Sequence, residues 1–218
     1  MSIIRKALVF SRTDGLANTT RYACQAVRNM FGLRTSVTLF MRCMFSERQQ
    51  ILPSDEVPEL ERIDGSNVLR KYTCERLEFV PFDRWLNSGS ICYIHRSHNS
   101  IVGYCWAHPS TYRVSRRLGQ FTLKDHEAWI GPIFIDKRYR GQGIAGPLVN
   151  FALADQMHTG MTTFYTSLNS GNTVSQRLFA KHGFEIIGST HVQGFGRYQF
   201  KRIKLDLNSQ DILRERLT

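Results

Sequence analysis

No stretch of this chain approaches the roughly 18 consecutive apolar residues that a membrane-spanning helix needs. The longest apolar runs, around residues 130–135 and 7–10, are far shorter. Near the start, Arg5 and Lys6 precede a brief apolar run that Arg12 and Asp14 interrupt, too short for the core of a secretory signal. Cysteine is sparse and unpaired in pattern. Cys24, Cys43, Cys74, Cys92 and Cys105 are odd in number and form no C-x-x-C pair, so neither a disulfide framework nor a structural zinc site is expected. The thiols read as reduced and mostly buried, in a cytoplasmic protein.

Other chemistries are missing as well. His95, His98, His108, His158, His182 and His191 form no H-x-x-x-H or H-E-x-x-H pattern, so no catalytic metal is expected. There is no G-x-S-x-G elbow and no G-x-x-x-x-G-K-[ST] phosphate loop. No helix-turn-helix, zinc-finger or RNA-binding aromatic signature is present, and nucleic acid is not an expected partner.

What the chain does have is positive charge, a formal +11 over 218 residues. That balance suits an anionic partner such as a phosphorylated small molecule or an anionic surface, or it serves solubility. Residues 1–34 carry Arg5, Lys6, Arg12, Arg21, Arg28 and Arg34 against Asp14, with Ala17, Tyr22, Ala23, Ala26, Val27, Met30 and Phe31 at helical spacing. This reads as a basic helical extension over residues 1–35, resting on its own domain, on a partner or on a membrane surface.

Beyond it the pattern alternates. Strands are expected over 36–45, 91–95, 101–107, 127–135 and 162–168, with a closing pair over 184–189 and 197–207. Helices are expected over 68–86 with a break near Pro81, over 143–157 and over 173–182. Residues 46–66 read as loop with a short helical turn, and Arg113, Arg116, Arg117 and Gly119 as a mobile basic loop. Residues 208–218 read as a polar tail. The order implies a mixed α/β sheet over 36–207.

The informative segment runs Ile133-Phe134-Ile135-Asp136-Lys137-Arg138-Tyr139-Arg140-Gly141-Gln142-Gly143-Ile144-Ala145. A buried strand ends, three basic residues follow, and two glycines spaced by one residue open a helix. Glycine lets the backbone turn sharply and approach a ligand. Free amides at a helix start, with the helix dipole and arginines beside them, attract an anion.

Arg138-x-x-Gly141-x-Gly143 behind a hydrophobic strand resembles the coenzyme A pyrophosphate motif of the GNAT superfamily of N-acyltransferases. Asn172 to Phe184, opening on Asn and closing on Gly183-Phe184, resembles that family's later helix, and residues 101–104 its central hairpin. The resemblance covers about residues 36–207. It implies a mixed, largely antiparallel sheet, flanked by helices and splayed at its centre between residues 127–135 and 162–168.

An acyl-CoA, acetyl-CoA or another, would enter that gap as co-substrate. The amides of Ile133 and Ile135, around Phe134, would pair with its arm. Those of Arg138 to Ile144, including Arg140, Gly141, Gln142 and Gly143, with Ala145 beyond, would take the pyrophosphate, and Asn172 would touch the arm. The reaction implied is direct attack of a primary amine on the thioester, without an acyl-enzyme. The acceptor would be a small molecule or amino-sugar, alternatively a protein N-terminus or lysine.

Glu127 is the candidate base, with Asp125 and His126 as neighbours able to substitute. At the late-helix position where the family often carries a tyrosine acid stands Phe179. Tyr165 is the candidate stand-in. The loss of that tyrosine also fits a non-catalytic acyl-CoA-binding regulatory module. Arg113, Arg116 and Arg117 suit an acidic partner or simple solvation.

Overall fold

The computed structural model of the chain describes residues 34–45, 59–65, 81–116, 118–195, 198–205 and 215–217. The helical reading of residues 1–33, the greater part of the 68–86 helix, and Arg117 lie outside them.

Ten strands and three helices are present among the described residues. The main sheet contains β1 (Arg34–Met44), β2 (Leu60–Ile63), β3 (Ile91–Ser97), β4 (Ser100–His108), β7 (Glu127–Ile135), β8 (Thr163–Asn169), β9 (Glu185–Phe195) and β10 (Tyr198–Leu205). Their spatial order is β10-β9-β1-β8-β7-β4-β3-β2. Every neighbouring pair is antiparallel except β7 with β8, which run parallel. A separate hairpin joins β5 (Thr111–Ser115) and β6 (Gly119–Thr122). The helices are α1 (Phe82–Asn87), α2 (Ala145–His158) and α3 (Thr173–Lys181). No helix among the described residues is long and apolar enough to cross a membrane.

Side-chain alternation sorts the strands into two apolar layers. On one face Ala128, Ile130, Cys105, Ala107, Phe164 and Met41 pack with Leu148, Val149, Ala152 and Leu153 of α2 and Phe179 of α3. On the other, Phe40, Trp129 and Tyr165 meet Phe121 of the hairpin, and Tyr104, Trp106 and Phe134 meet Leu86 of α1. The hairpin is held down by aromatic stacking, with Tyr112 lying on Trp129 at 4.7 Å between ring centres. Cys43, Cys92 and Cys105 are buried and form no disulfide among the described residues.

Two segments differ from the sequence expectation. Residues 60–63, expected in a loop, form the edge strand β2 on β3. The acids and prolines around them hid a four-residue strand too short to show periodicity. The basic loop around Arg113 and Arg116 is instead the β5–β6 hairpin. Its alternation puts Arg113 outward while Tyr112 and Val114 pack against the core.

Candidate active site

The site begins where β7 stops pairing on one side. The parallel β7–β8 ladder holds for three residue pairs, ending at Trp129↔Tyr165. On the β4 side, Ala107 faces Ile130 and Cys105 faces Ile133. Two steps along β4 therefore match three along β7, a bulge that places Gly131 and Pro132 opposite one β4 residue. Gly131 has φ +118°, a conformation only glycine adopts comfortably. Past the bulge the two central strands diverge, as a splayed sheet requires.

The direction of the β7 amides follows from one bond. Asp136 N–H donates to Val102 O at 2.7 Å, towards β4. Peptide groups alternate sides along an antiparallel strand, so the amide of Phe134 also faces β4. Those of Ile133 and Ile135 face the opposite way, onto the open edge. Phe134 is thus not at that edge through its main chain, and its ring is buried against Tyr104 at 5.3 Å.

The turn beyond β7 is self-supporting. The Asp136 carboxylate accepts from the Arg138 amide at 2.9 Å and caps a 3₁₀ turn over Lys137–Tyr139. It also takes a two-pronged contact from the Arg138 guanidinium, Nη2–Oδ2 at 2.8 Å and Nε–Oδ1 at 3.2 Å. That contact with Arg138 holds the Asp136 carboxyl below its ordinary range, against the opposing effect of burial. Tyr139 N–H donates to Asp136 O and Arg140 N–H to Lys137 O. The Arg140 side chain donates to Ile135 O at 3.0 Å.

The sequence reading gave the amides of Arg138 to Ile144 to an anion. In the structure those of Arg138, Tyr139 and Arg140 are consumed by the turn. The amides of Gly141, Gln142, Gly143 and Ile144 make no hydrogen bond among the described residues. Gly141 and Gly143 have φ +81° and +80°, and both are exposed. Ile144 caps α2 without a side-chain bond, and no acid lies in the first helical turn, which Ala145 opens. Four unused amides thus stand together at a bare helix start.

Asn172 caps α3, its Oδ1 accepting from Ser175 N–H at 3.1 Å, and is exposed beyond the end of β8. Phe179 is buried edge-on to Phe184 at 4.9 Å and can move no proton. His126 turns its Nδ1 to Gly160 O at 3.0 Å, and Asp125 is exposed in the preceding turn.

Glu127 and Tyr165 do come together. The Tyr165 hydroxyl donates to Glu127 Oε1 at 3.3 Å. The same carboxylate accepts from Lys124 N–H at 2.7 Å and from both terminal nitrogens of Arg216, with Nη2–Oε1 at 3.0 Å. Burial alone would raise the Glu127 carboxyl, but the hydrogen bonds from Arg216 and Lys124 outweigh it and hold it below its usual range. Burial, then the charge of Glu127, raises the Tyr165 phenol. Arg216 was read only as part of a polar tail. Nothing local in the sequence couples two residues 89 positions apart. Arg113 and Arg116 are exposed on the hairpin. No cluster of three or more His, Cys, Asp or Glu groups suited to a metal occurs among the described residues.

A sheet split beside a parallel strand pair, with a glycine turn and a bare helix start where the split strand ends, defines a mixed α/β protein. The chain belongs to the GNAT acetyltransferase family: residues 57–184, more than half of it, match that family's model, described as "Acetyltransferase (GNAT) family". Its fold is similar to the crystal structure of a protein assigned to the GNAT acetyltransferases from Novosphingobium aromaticivorans DSM 12444. The TM-score is 0.53 at 14% identity, over 76% of this chain and 67% of that one. It is also similar to a GCN5-related N-acetyltransferase from Sphaerobacter thermophilus, with TM-score 0.50 and 15% identity, over 90% of this chain and 60% of that one. The chain thus spans about two thirds or less of these relatives' length. No curated protein sequence matches it.

Proposed function

We propose that the chain is an acyl-CoA-dependent N-acyltransferase that passes an acetyl group from acetyl-CoA to the primary amine of a small molecule. The observation that carries this reading is the row of four unused amides, Gly141 to Ile144, at an uncapped helix start directly beyond a strand with an open edge. A diphosphate fits there, because its oxygens need donors and its charge suits the helix dipole. The pantetheine arm fits the edge that Ile133 and Ile135 present, and Asn172 stands where the end of β8 meets α3.

In direct attack the amine nitrogen bonds to the thioester carbonyl carbon, the C–S bond breaks, and the products are an amide and a free thiol. The ammonium form of the acceptor must lose protons, and the departing thiolate must gain one. Glu127 accepts and Tyr165 donates in this scheme, since they are the titratable pair in contact on the face of β7 opposite α2. Arg138 and Arg140 brace the turn and add positive charge beside the diphosphate.

A second reading has a specific observation in its favour. The late helix offers Phe179 in place of a proton donor, and Glu127 is fully hydrogen-bonded within the chain. Both fit a regulatory module that binds acyl-CoA without turnover. Titration calorimetry with acetyl-CoA, followed by thiol release over a panel of amines, separates the outcomes. Binding with turnover supports the transferase and binding alone the module. Absence of binding removes both.

A further inference from the structure

The acidic group beside the opening of the sheet is occupied, and by the chain itself. Arg216 grips Glu127 through both terminal nitrogens and donates to Thr122 O at 3.4 Å. Its guanidinium lies over the Tyr165 ring at 5.7 Å. The next residue, Leu217, bridges to Phe121 and is buried in the apolar cluster that also holds Phe40, Trp129, Tyr165 and Ile187. Glu127 sits on the same side of β7 as Trp129, the last residue that β7 pairs with β8 before the strands part.

We propose that Arg216 and Leu217 fill the acceptor site of this chain in cis, and that the acceptor is an amine whose cationic head replaces the guanidinium on Glu127 and whose apolar body replaces Leu217. This rests on the acyltransferase reading above. Three observations carry it.

First, an amine acceptor arrives at neutral pH as an ammonium, which brings the same sign of charge and the same N–H donors to the same carboxylate. The two cannot be held there together. Second, the clamp is incomplete. Among the described residues Arg216 Nε is buried without a hydrogen-bond partner, although both terminal nitrogens are engaged. A permanent buried arginine satisfies its donors, whereas one that gives way to a ligand need not. Third, the surroundings of Leu217 are apolar side chains. A sugar would bring hydroxyls into that lining without partners, which is unfavourable, while an alkyl or aryl body keeps it dry. The acceptor class therefore narrows from amino-sugars to amines with an apolar substituent. The tail limits turnover until such an amine displaces it.

The charged and titratable groups facing Glu127 are Arg216 and Tyr165, with the Lys124 amide. Arg42 of β1 stands directly opposite Tyr165 across the β1–β8 ladder, and Glu215 adjoins Arg216.

The test uses the full chain, a chain ending at Glu215, and the full-length variant Arg216→Gln, which retains Leu217 should truncation impair folding. Acetyl-CoA is the donor, and 2-phenylethylamine and glucosamine are the probes. Both altered chains are expected to gain roughly tenfold or more in kcat/KM for 2-phenylethylamine, chiefly through KM, with little gain for glucosamine. Their affinity for acetyl-CoA by calorimetry stays that of the full chain. A synthetic peptide of residues 212–218 inhibits the truncated chain competitively against the amine but not against acetyl-CoA.

If both altered chains bind acetyl-CoA normally yet show unchanged or reduced activity, the tail is a structural strap and the proposal is overturned. An equal gain for both amines, or one confined to glucosamine, overturns the apolar acceptor. Failure of the full chain to bind acetyl-CoA at all counts instead against the acyltransferase reading.

Discussion

His108 donates through Nε2 to the carbonyl oxygen of Gly131 at 3.0 Å, and so ties β4 to the bulge at which the central strands separate. A carbonyl only accepts, so Nε2 carries the proton, and Nδ1 accepts from the Ser90 hydroxyl at 2.8 Å. The ring is buried between Trp106 and Tyr112. Burial pushes its pKa down to about 4, against a smaller upward effect of the bond to Gly131. The unfolded chain binds a proton at His108 near pH 6.5, whereas the folded one does so only near 4. Stability from this residue is therefore full above about pH 6.5 and is lost as pH falls towards 4, by about 3 kcal/mol at most. Denaturant titrations of the wild type and His108→Asn between pH 7 and 4 check this. The variant should be less stable at pH 7 and show the shallower dependence on pH. Equal slopes would show that the ring is not held neutral.

Gly143 tests the anion turn without disturbing the core. Its φ is +80°, and a Cβ built there meets nothing within 4 Å. Gly143→Val therefore creates no clash inside the protein. It carries the strain of a β-branched residue in left-handed backbone, about 1–2 kcal/mol or somewhat more. A melting temperature lower by roughly 2–8 °C follows for a chain of this size. The added methyl groups stand over the free amides of Gln142 to Ile144, where a diphosphate has to approach closely. Acetyl-CoA affinity measured by calorimetry should fall at least about tenfold, or 1.4 kcal/mol. Unchanged affinity would place the diphosphate elsewhere.

The strand, glycine turn and helix around Gly141 and Gly143 were legible in the sequence because their physics is local: a hydrophobic strand, basic residues, two glycines and a helix follow one another within a few residues. The central strands and the two longer helices were legible for the same reason, and Glu127–Ile135 fell where its continuous hydrophobic run placed it. What escaped was short or non-local. Leu60–Ile63 pairs by one side only and is too brief to show a period. Thr111–Ser115 does alternate, but Arg113 and Arg116 drew the reading towards a loop. The direction of the Ile133 and Ile135 amides depends on a bond from Asp136 to another strand. Ser90, His108 and Gly131 meet only because β3, β4 and β7 lie side by side. Arg216 reaches Glu127 through tertiary structure alone.

Asp136 carries more than one duty in the turn, and its removal separates them. Its carboxylate caps the 3₁₀ turn through the Arg138 amide and also fixes the Arg138 side chain. Asp136→Ala should cost about 1 kcal/mol for the lost cap. Arg138 would lose its brace, so the affinity for acetyl-CoA should fall while the fold persists. Asp136→Asn keeps the cap oxygen and loses the charge. It should retain most of the stability and recover part of the affinity. Thermal melts and calorimetry on the two variants check the order wild type, Asn, Ala in both quantities. The charge effect has a pH signature too. Because Arg138 lowers the Asp136 carboxyl, its contribution is present above the ordinary carboxylate pKa and fades only as pH drops through the folded value.

Tyr165 and Glu127 share a hydrogen bond, yet their substitutions should read out differently. Tyr165→Phe removes one of the four donors to the carboxylate and the hydroxyl that could protonate a leaving thiolate, but keeps the ring against Phe121 at 5.0 Å. Packing is preserved, so stability should change little and acetyl-CoA affinity should hold. If the hydroxyl is the acid, kcat falls by roughly 10² or more, the usual scale for a positioned proton donor. A thiol of lower pKa is a better leaving group and needs that proton less, so an acetyl thioester analogue with such a thiol should recover part of the loss. Glu127→Gln instead removes the acceptor of the amine's proton and leaves Arg216 buried beside a neutral group, which is destabilising. Its rate should recover as pH rises and more of the amine is already neutral, whereas that of Tyr165→Phe should not. The pH–rate profiles of the two variants with one amine therefore assign the roles. Parallel profiles would mean that neither side chain moves a proton, and that Glu127 serves to hold a cation rather than to relieve one of its charge.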